Sequence, residues 1–194
     1  MHRACCHGRA LEGELRRIPG GGAFLSRFLG RKKDVDLELA SALDDAHGVL
    51  FLCSGNMVRS AFAELYARHL GCPLPVASAA TVFRNDHLLR ETARALHARG
   101  VPVAWTQRFE PRHLDDVLPE LHPQVVILVM ARMHFEPLVQ HPLRARAFLL
   151  ARASGRDDEI LDPVLDGADF EQTFARVASC VESVVARLRL RAPG

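Results

Sequence analysis

The fold is decided by residues 49–70, which read VLFLCSGNMVRSAFAELYARHL. Residues 49–53 form a short apolar run that is typical of a buried strand, and the helical spacing of residues 60–70 stops at Gly71. The segment between them is a loop that leads from a strand into a helix. An open α/β sheet binds its ligand at this place. Because helix N-termini favour negative charge, the loop predicts an anion site, with phosphate as the natural ligand.

Apolar runs alternate with helical patterns along the rest of the chain. The pattern predicts strands at residues 75–79, 125–130 and 147–150, and helices at residues 88–99 and 169–190. Strands that alternate with helices imply a parallel sheet with right-handed crossovers, here in one α/β domain.

The composition of the 194 residues is that of a soluble globular protein, with 48% apolar and 25% charged residues. The longest apolar run, residues 125–131, is far shorter than the ~20 residues of a membrane span. These values exclude integral membrane, collagen-like and disordered chains. Five scattered cysteines argue against a disulfide framework and favour a reducing cytoplasm. Because neither the cysteines nor the histidines have metal-ligand spacing, no metal and no cofactor are predicted.

The first 46 residues are predicted to form a basic N-terminal extension, partly ordered, in front of a domain at residues 47–194. Residues 1–33 hold eight basic and two acidic side chains, whereas the remainder holds seventeen and twenty-one. The extension is expected to make weak contacts with acidic surfaces, and residues 34–46 predict a short helix that leads into the domain. All but two of the 25 cations are arginine, which we interpret as a composition bias; no nucleic-acid partner is predicted.

Two side chains of the loop carry chemistry. Cys53 opens the loop and Arg59 closes it, with five residues between them. A cysteine beside unpaired N–H groups and an arginine has its thiolate stabilised, and the thiolate is the nucleophilic form. The planar fork of Arg59 can hold two oxygens of a phosphoryl group. Gly55 and Asn56 suit a tight loop, and Ser60 can cap the helix or donate to the sulfur of Cys53.

The loop resembles that of the low-molecular-weight protein tyrosine phosphatase family, which reads C-x-G-N-x-C-R-S. The resemblance continues at residues 78–81 (SAAT), at residues 125–130 and at Asp162-Pro163, and it covers residues 47–190. It implies a flavodoxin-like three-layer sandwich with a four-stranded parallel sheet in the order 2-1-3-4. It also implies hydrolysis of phosphomonoesters, above all protein phosphotyrosine, through a phosphocysteine intermediate.

The family mechanism implies a role for each candidate residue. Cys53 would attack phosphorus, Asp162 would protonate the leaving group and then activate water, and Arg59 would stabilise the transition state. The substrate-binding residues implied are Ser54, Gly55, Asn56, Met57, Val58 and Ser60 of the loop, together with Trp105. Trp105 is expected either to stack in the pocket or to lie in the core. The expected partners are a phosphorylated protein or a small phosphomonoester.

The chain departs from the family pattern at positions that bear on substrate choice. Val58 replaces the second loop cysteine, Trp105 replaces a usual histidine, and Val164-Leu165 replaces an aromatic pair. Met57 favours phosphotyrosine, because a bulky apolar side chain beside the nucleophile suits a flat aromatic leaving group. A small threonine at this position would instead resemble the arginine-phosphatase branch.

Two alternative functions remain open from the sequence. A thiol-coupled arsenate reductase has the same fold, but it relays oxidation through further cysteines, and none lies between Cys72 and Cys180. A non-catalytic phosphate-binding module is disfavoured by the joint presence of Cys53, Arg59 and Asp162.

Overall fold

The computed structural model describes residues 37–191, so most of the predicted N-terminal extension lies outside the described residues. The first described segment is helix α1, residues 37–44, where a short helix was predicted. Leu39, Ala42 and Leu43 of this helix are buried in the core. The domain boundary at residue 47 stays a prediction. Within residues 37–191, no helix combines the length and the apolar character that crossing a membrane requires.

The chain alternates strands and helices as the sequence predicts. The strands are β1 (Gly48–Cys53), β2 (Val76–Ala80), β3 (Val125–Val129) and β4 (Ala147–Leu149). The helices after α1 are α2 (Arg59–His69), α3 (Arg90–His97), α4 (Val103–Gln107), α5 (Leu114–Val117) and α6 (Phe170–Arg191). Four 3₁₀ helices span Leu118–Glu120, Arg132–Leu138, Pro142–Arg146 and Leu150–Ser154. The sequence did not predict α4, α5 or the 3₁₀ helices, because segments of three to seven residues are too short for a periodic signal.

The four strands form one parallel sheet in the order β2-β1-β3-β4, which confirms the flavodoxin-like prediction. The register places Cys53 beside Ala80 of β2, and Leu52 beside Val129 of β3. All four strands therefore end at the same edge of the sheet, and the loops that follow them converge there. Every strand of a parallel sheet with two covered faces is buried, which explains the uninterrupted apolar runs in the sequence.

Each face of the sheet packs against its own layer. Val49, Phe51 and Cys53 point to the layer that holds α1, α2, α3 and α6. Leu50 and Leu52 point to the opposite layer, where α5 and the 3₁₀ helices supply Leu114, Val117, Leu138 and Leu143. Burial of each large apolar side chain contributes about 1.5–3 kcal/mol, so the central strand β1 is fixed from both sides. The loop after β1 is thus held on a rigid support.

Candidate active site

Cys53 is the last residue of β1, and its sulfur lies under two hydrogen-bond donors. The backbone N–H of Asn56 donates to Sγ at 3.3 Å, and the hydroxyl of Ser60 lies 2.9 Å from Sγ. Since Asn56 Nδ2 donates to Ser60 Oγ at 3.0 Å, the hydroxyl hydrogen of Ser60 is left to point at the sulfur. Donors placed on the sulfur are what a thiolate nucleophile requires.

Asn56 holds the loop in shape from inside. Its φ of 52° makes it the one non-glycine residue with positive φ in the described part of the chain, and it is fully buried. This conformation is unfavourable for most side chains, and asparagine is among the few that tolerate it. Three side-chain bonds offset the cost: Nδ2 donates to Ser60 and Ser78, and Oδ1 accepts the N–H of Arg112 at 2.8 Å.

The network continues from Ser78 to a buried carboxyl group. Ser78 Oγ donates to Glu64 Oε2 at 2.7 Å, and Glu64 on α2 also lies near Arg68 and Arg112. Burial raises the pKa of Glu64, while the bond from Ser78 and the two guanidinium groups act against that rise. The catalytic loop is therefore connected by hydrogen bonds to the carboxyl group of Glu64 on α2.

Arg59 begins α2 and is almost wholly buried under the loop. Its guanidinium donates to the carbonyl of Ile160 at 2.8 Å and to Ser54 Oγ at 3.3 Å, and it forms an ion pair with Asp162. The sequence separation of 103 residues between the charged partners shows that the sheet topology brings them together. The cation that would bind phosphate is thus paired with the candidate general acid.

Asp162 is fixed by the turn that it begins. Its Oδ1 accepts the N–H of Val164 at 2.9 Å, and its own N–H donates to Asp166 Oδ2 at 2.7 Å. Ile160, two residues earlier, donates its N–H to the carbonyl of Met130 at the end of β3. The Asp162 segment is thus attached to the sheet edge where the catalytic loop lies.

His134 is a buried histidine that contacts the loop and that the sequence analysis did not single out. Its Nδ1 accepts the N–H of Ala131 at 3.0 Å, so Nε2 carries the hydrogen and donates to Ser54 Oγ at 3.1 Å. Burial, with a contribution from nearby Arg59, lowers the pKa of His134 to about 4. The ring is therefore neutral at neutral pH and supports Ser54.

A pocket of about 180 Å³ lies at the loop, and most of the predicted site residues line it. The predicted residues that line it are Cys53, Ser54, Gly55, Met57, Val58 and Asp162. Arg59, Asn56 and Ser60 lie behind this lining, in contact with it through the bonds described above.

Four further lining residues complete the pocket, namely Phe83, Asn85, Val164 and Leu165. Phe83 and Asn85 were missed by the sequence analysis, although they follow the end of β2, the strand beside β1. Asn85 Nδ2 donates to the carbonyl of Gly55 at 2.6 Å, and a Cβ at residue 55 would lie 2.7 Å from the same atom. A larger residue at position 55 would therefore displace the Asn85 side chain, which favours glycine there.

Trp105 lies away from this pocket and also away from the core. Its side chain is 40% exposed and lines a separate cavity of about 540 Å³ that contains no residue of the catalytic pocket. Trp105 was expected either to stack in the pocket or to lie in the core, and the structure shows it in neither position. Because Trp105 does not line the catalytic pocket, the structure gives no support to a role for it in substrate binding.

The described residues contain no group of three or more histidine, cysteine, aspartate or glutamate side chains placed to hold a metal ion. Asp162 is the acidic residue among those that line the catalytic pocket, and Arg59, which is paired with it, lies behind that lining.

The fold and the loop together define a cysteine-dependent phosphatase. The model of the family "Low molecular weight phosphotyrosine protein phosphatase" matches residues 48–192. The chain therefore belongs to this family, as the loop motif predicted. A low molecular weight protein-tyrosine-phosphatase, PtpB of Staphylococcus epidermidis, is 27% identical over 142 residues, which are 70% of this chain and 95% of that protein.

Solved structures of similar proteins support the fold. The tyrosine phosphatase Wzb from Escherichia coli K30, in complex with sulphate, has a TM-score of 0.61 at 21% identity and covers 74% of this chain and 99% of its own. The YwlE arginine phosphatase from Geobacillus stearothermophilus has a TM-score of 0.60 at 23% identity, with coverages of 74% and 94%. The same fold thus occurs in proteins named for two different phosphorylated residues.

Proposed function

We propose that this phosphatase hydrolyses protein phosphotyrosine through a phosphocysteine formed on Cys53. The observation that carries the proposal is that Cys53 Sγ, with donors from Asn56 and Ser60, lines the same pocket as Asp162. The Cys53 thiolate attacks phosphorus; the S–P bond forms as the P–O bond to the tyrosine ring breaks. Asp162 gives its proton to the departing phenolate oxygen.

Hydrolysis of the phosphocysteine restores the enzyme. Asp162, now a carboxylate, takes a proton from the water that attacks phosphorus, and the S–P bond breaks to release inorganic phosphate and the Cys53 thiolate. The loop N–H groups and Arg59 stabilise the equatorial oxygens in both steps. When the phosphoryl group takes over the fork of Arg59, Asp162 loses its ion-pair partner and is free to carry the proton that the first step needs.

The pocket walls favour an aromatic leaving group. Met57, Phe83, Val164 and Leu165 are apolar and surround the entrance above Cys53. A phenyl ring buries apolar surface against these walls, whereas the guanidinium of phosphoarginine would lose water there for few acceptors, chiefly the Asp162 carboxyl and the Asn85 amide. This argument favours phosphotyrosine over phosphoarginine.

The cysteines favour hydrolysis over arsenate reduction. Cys72 lies ahead of β2, at the end of the sheet opposite the loop, and Cys180 is buried in α6 beside Ser154. Within residues 37–191, neither lines the catalytic pocket, so neither is placed to relay oxidation from Cys53. The odd, scattered cysteine count is the reason for proposing a cytoplasmic location.

The test compares Cys53→Ser with Cys72→Ser. We expect Cys53→Ser to abolish hydrolysis of p-nitrophenyl phosphate and of a phosphotyrosine peptide while it still binds orthovanadate, because the loop remains. Cys72→Ser should retain wild-type turnover. More than a few per cent of wild-type activity in Cys53→Ser would refute the nucleophile. Equal rates of the wild type on phosphotyrosine and phosphoarginine peptides would refute the substrate assignment.

A further inference from the structure

A larger cavity is lined by residues of α2, and the proposed reaction does not use it. Its volume is about 540 Å³, against about 180 Å³ for the catalytic pocket, and the two have no lining residue in common. Its walls are Glu64 and Arg68 of α2 together with the segment from Trp105 to Arg112. A concave site in which aromatic side chains stand beside charged groups can bind a small polar ligand.

The charged groups of this cavity favour an anion. Arg68, Arg108 and Arg112 line it, against the carboxyls of Glu64 and Glu110. Arg68 and Arg112 approach Glu64 at 3.3 and 3.6 Å, but both side chains are about half exposed, and such ion pairs are weak. Arg108 forms no ion pair with any other residue of the described range. The cavity therefore offers guanidinium forks that can turn to a carboxylate or a phosphate.

The aromatic residues of the cavity favour a planar ligand. Trp105 and Phe109 line the same space as the arginines, and the indole of Trp105 is well exposed to it. Exposed aromatic side chains bind flat rings by stacking, and because they have few rotatable bonds, they lose little conformational entropy on binding. Guanidinium groups and rings on one wall together fit a small aromatic molecule that carries a negative group.

Arg112 connects this cavity to the catalytic loop. Its side chain lines the cavity, while its backbone N–H donates to Asn56 Oδ1 at 2.8 Å. That bond helps to hold Asn56 in its left-handed conformation, and Asn56 in turn donates its own N–H to the sulfur of Cys53. Glu64 provides a second connection through Ser78 to the amide of Asn56. A ligand that fixes Arg112 therefore acts on the geometry of the oxyanion site.

We propose that this cavity binds a planar aromatic anion and that its occupation strengthens oxyanion binding in the catalytic loop. The ring packs against Trp105 and Phe109, and Arg108 and Arg112 hold the negative group. Coupling between two sites is reciprocal, so an oxyanion in the loop strengthens binding in the cavity by the same factor.

The test uses the chain's single tryptophan as the reporter. We titrate the full chain with 2-naphthoate and follow the one indole N–H resonance of Trp105 by NMR, with and without one equivalent of orthovanadate in the catalytic loop. We expect a saturable shift, a severalfold lower Kd when vanadate is bound, and weaker binding of cyclohexanecarboxylate, which lacks a planar ring.

Two arginine variants identify the site. Arg108→Ala should raise the Kd of 2-naphthoate about tenfold, because a charged hydrogen bond is lost. Arg187→Ala removes an equally exposed cation from α6, outside the cavity, and should leave the Kd unchanged.

Three results would overturn the inference. A linear or absent shift of the Trp105 resonance would show that the cavity does not bind 2-naphthoate. Displacement of 2-naphthoate by vanadate would place the probe in the catalytic pocket. A Kd for 2-naphthoate that is the same with and without vanadate would show that the two sites are not coupled. The titration without vanadate needs no catalytic step, so it stands even if Cys53→Ser contradicts the proposed function.

Discussion

In the interior of the catalytic loop and at the start of α2, Asn56 and Ser60 are fully buried, and all their side-chain oxygen and nitrogen atoms are hydrogen-bonded. At the rim of the same pocket, Phe83, Val164 and Leu165 are about half exposed and offer only apolar surface. A buried polar group left without a partner costs ~1–3 kcal/mol, whereas an exposed apolar side chain can be exchanged with little effect on the fold. We therefore expect the chemistry of the reaction to depend on the loop interior and the choice of substrate to depend on the rim.

The largest effect should follow from Asp162→Asn, which changes the interior without changing its shape. Loss of a general acid typically costs ~10²–10⁴-fold in turnover. We expect a loss of this size on phosphotyrosine and a smaller one on p-nitrophenyl phosphate, whose leaving group needs little protonation. Asp166→Asn is the matched control, because the amide oxygen can still accept the N–H of Asp162. Equal losses of Asp162→Asn on both substrates would refute the acid role.

The next effect concerns stability, through the neutral ring of His134. Its pKa is lowered from 6.5 to about 4, so the unfolded chain binds a proton first as the pH falls. Stability is therefore full above pH 6.5, and ~3 kcal/mol of it is lost between pH 6.5 and 4. His134→Gln should remove this part of the pH dependence in urea unfolding curves, and the exposed His87→Gln should keep it. If the stability of His134→Gln fell between pH 6.5 and 4 as much as that of the wild type, His134 would not be the source of this pH dependence.

A smaller effect is expected at Val58, which fills the loop interior where the family has a second cysteine. Without a nearby thiol, peroxide should carry Cys53 beyond sulfenic acid to irreversible products. Val58→Cys should trap the first product as a disulfide and improve recovery under reductant severalfold. Mass spectrometry after peroxide measures both; a disulfide at Cys53 in the wild type, with full recovery, would show that another cysteine protects it.

The smallest effect should come from the rim. Phe83→Ala should raise KM for phosphotyrosine and p-nitrophenyl phosphate about fivefold, the equivalent of ~1 kcal/mol of apolar contact, and leave kcat unchanged. A glycerol phosphate, which has no ring, should show no change. Val139→Ala is the control, because Val139 is also an exposed apolar residue and does not line the pocket. A large fall in kcat for Phe83→Ala would mean that the rim also takes part in the reaction.

The features that could be predicted from the sequence are those that depend on residues close to one another along the chain. The apolar run of β1, the loop and the start of α2 lie next to one another, so their spacing alone places Cys53 and Arg59. The sheet order and the role of Asp162 came from the family resemblance, since periodicity shows only that the strands are parallel.

The residues that were missed depend on contacts between distant segments. His134 lies 80 residues from Ser54, and Phe83 and Asn85 reach the pocket only because β2 lies beside β1. A histidine in a short 3₁₀ helix that contains Pro137 gives no periodic signal of burial. The position of Trp105 could not be predicted either, because a single aromatic residue in a five-residue helix suits a core, a pocket or a surface equally.

The ion pair between Arg59 and Asp162 also bears on product release. In the proposed reaction, the inorganic phosphate that is formed last is held by the same guanidinium that pairs with Asp162 in this structure. The carboxylate is tethered beside it and competes at every turnover, whereas a departing phosphate has to return by diffusion. If the proposed mechanism holds, the enzyme carries its own displacing anion, and we expect that anion to hasten the release of phosphate and to weaken inhibition by added phosphate.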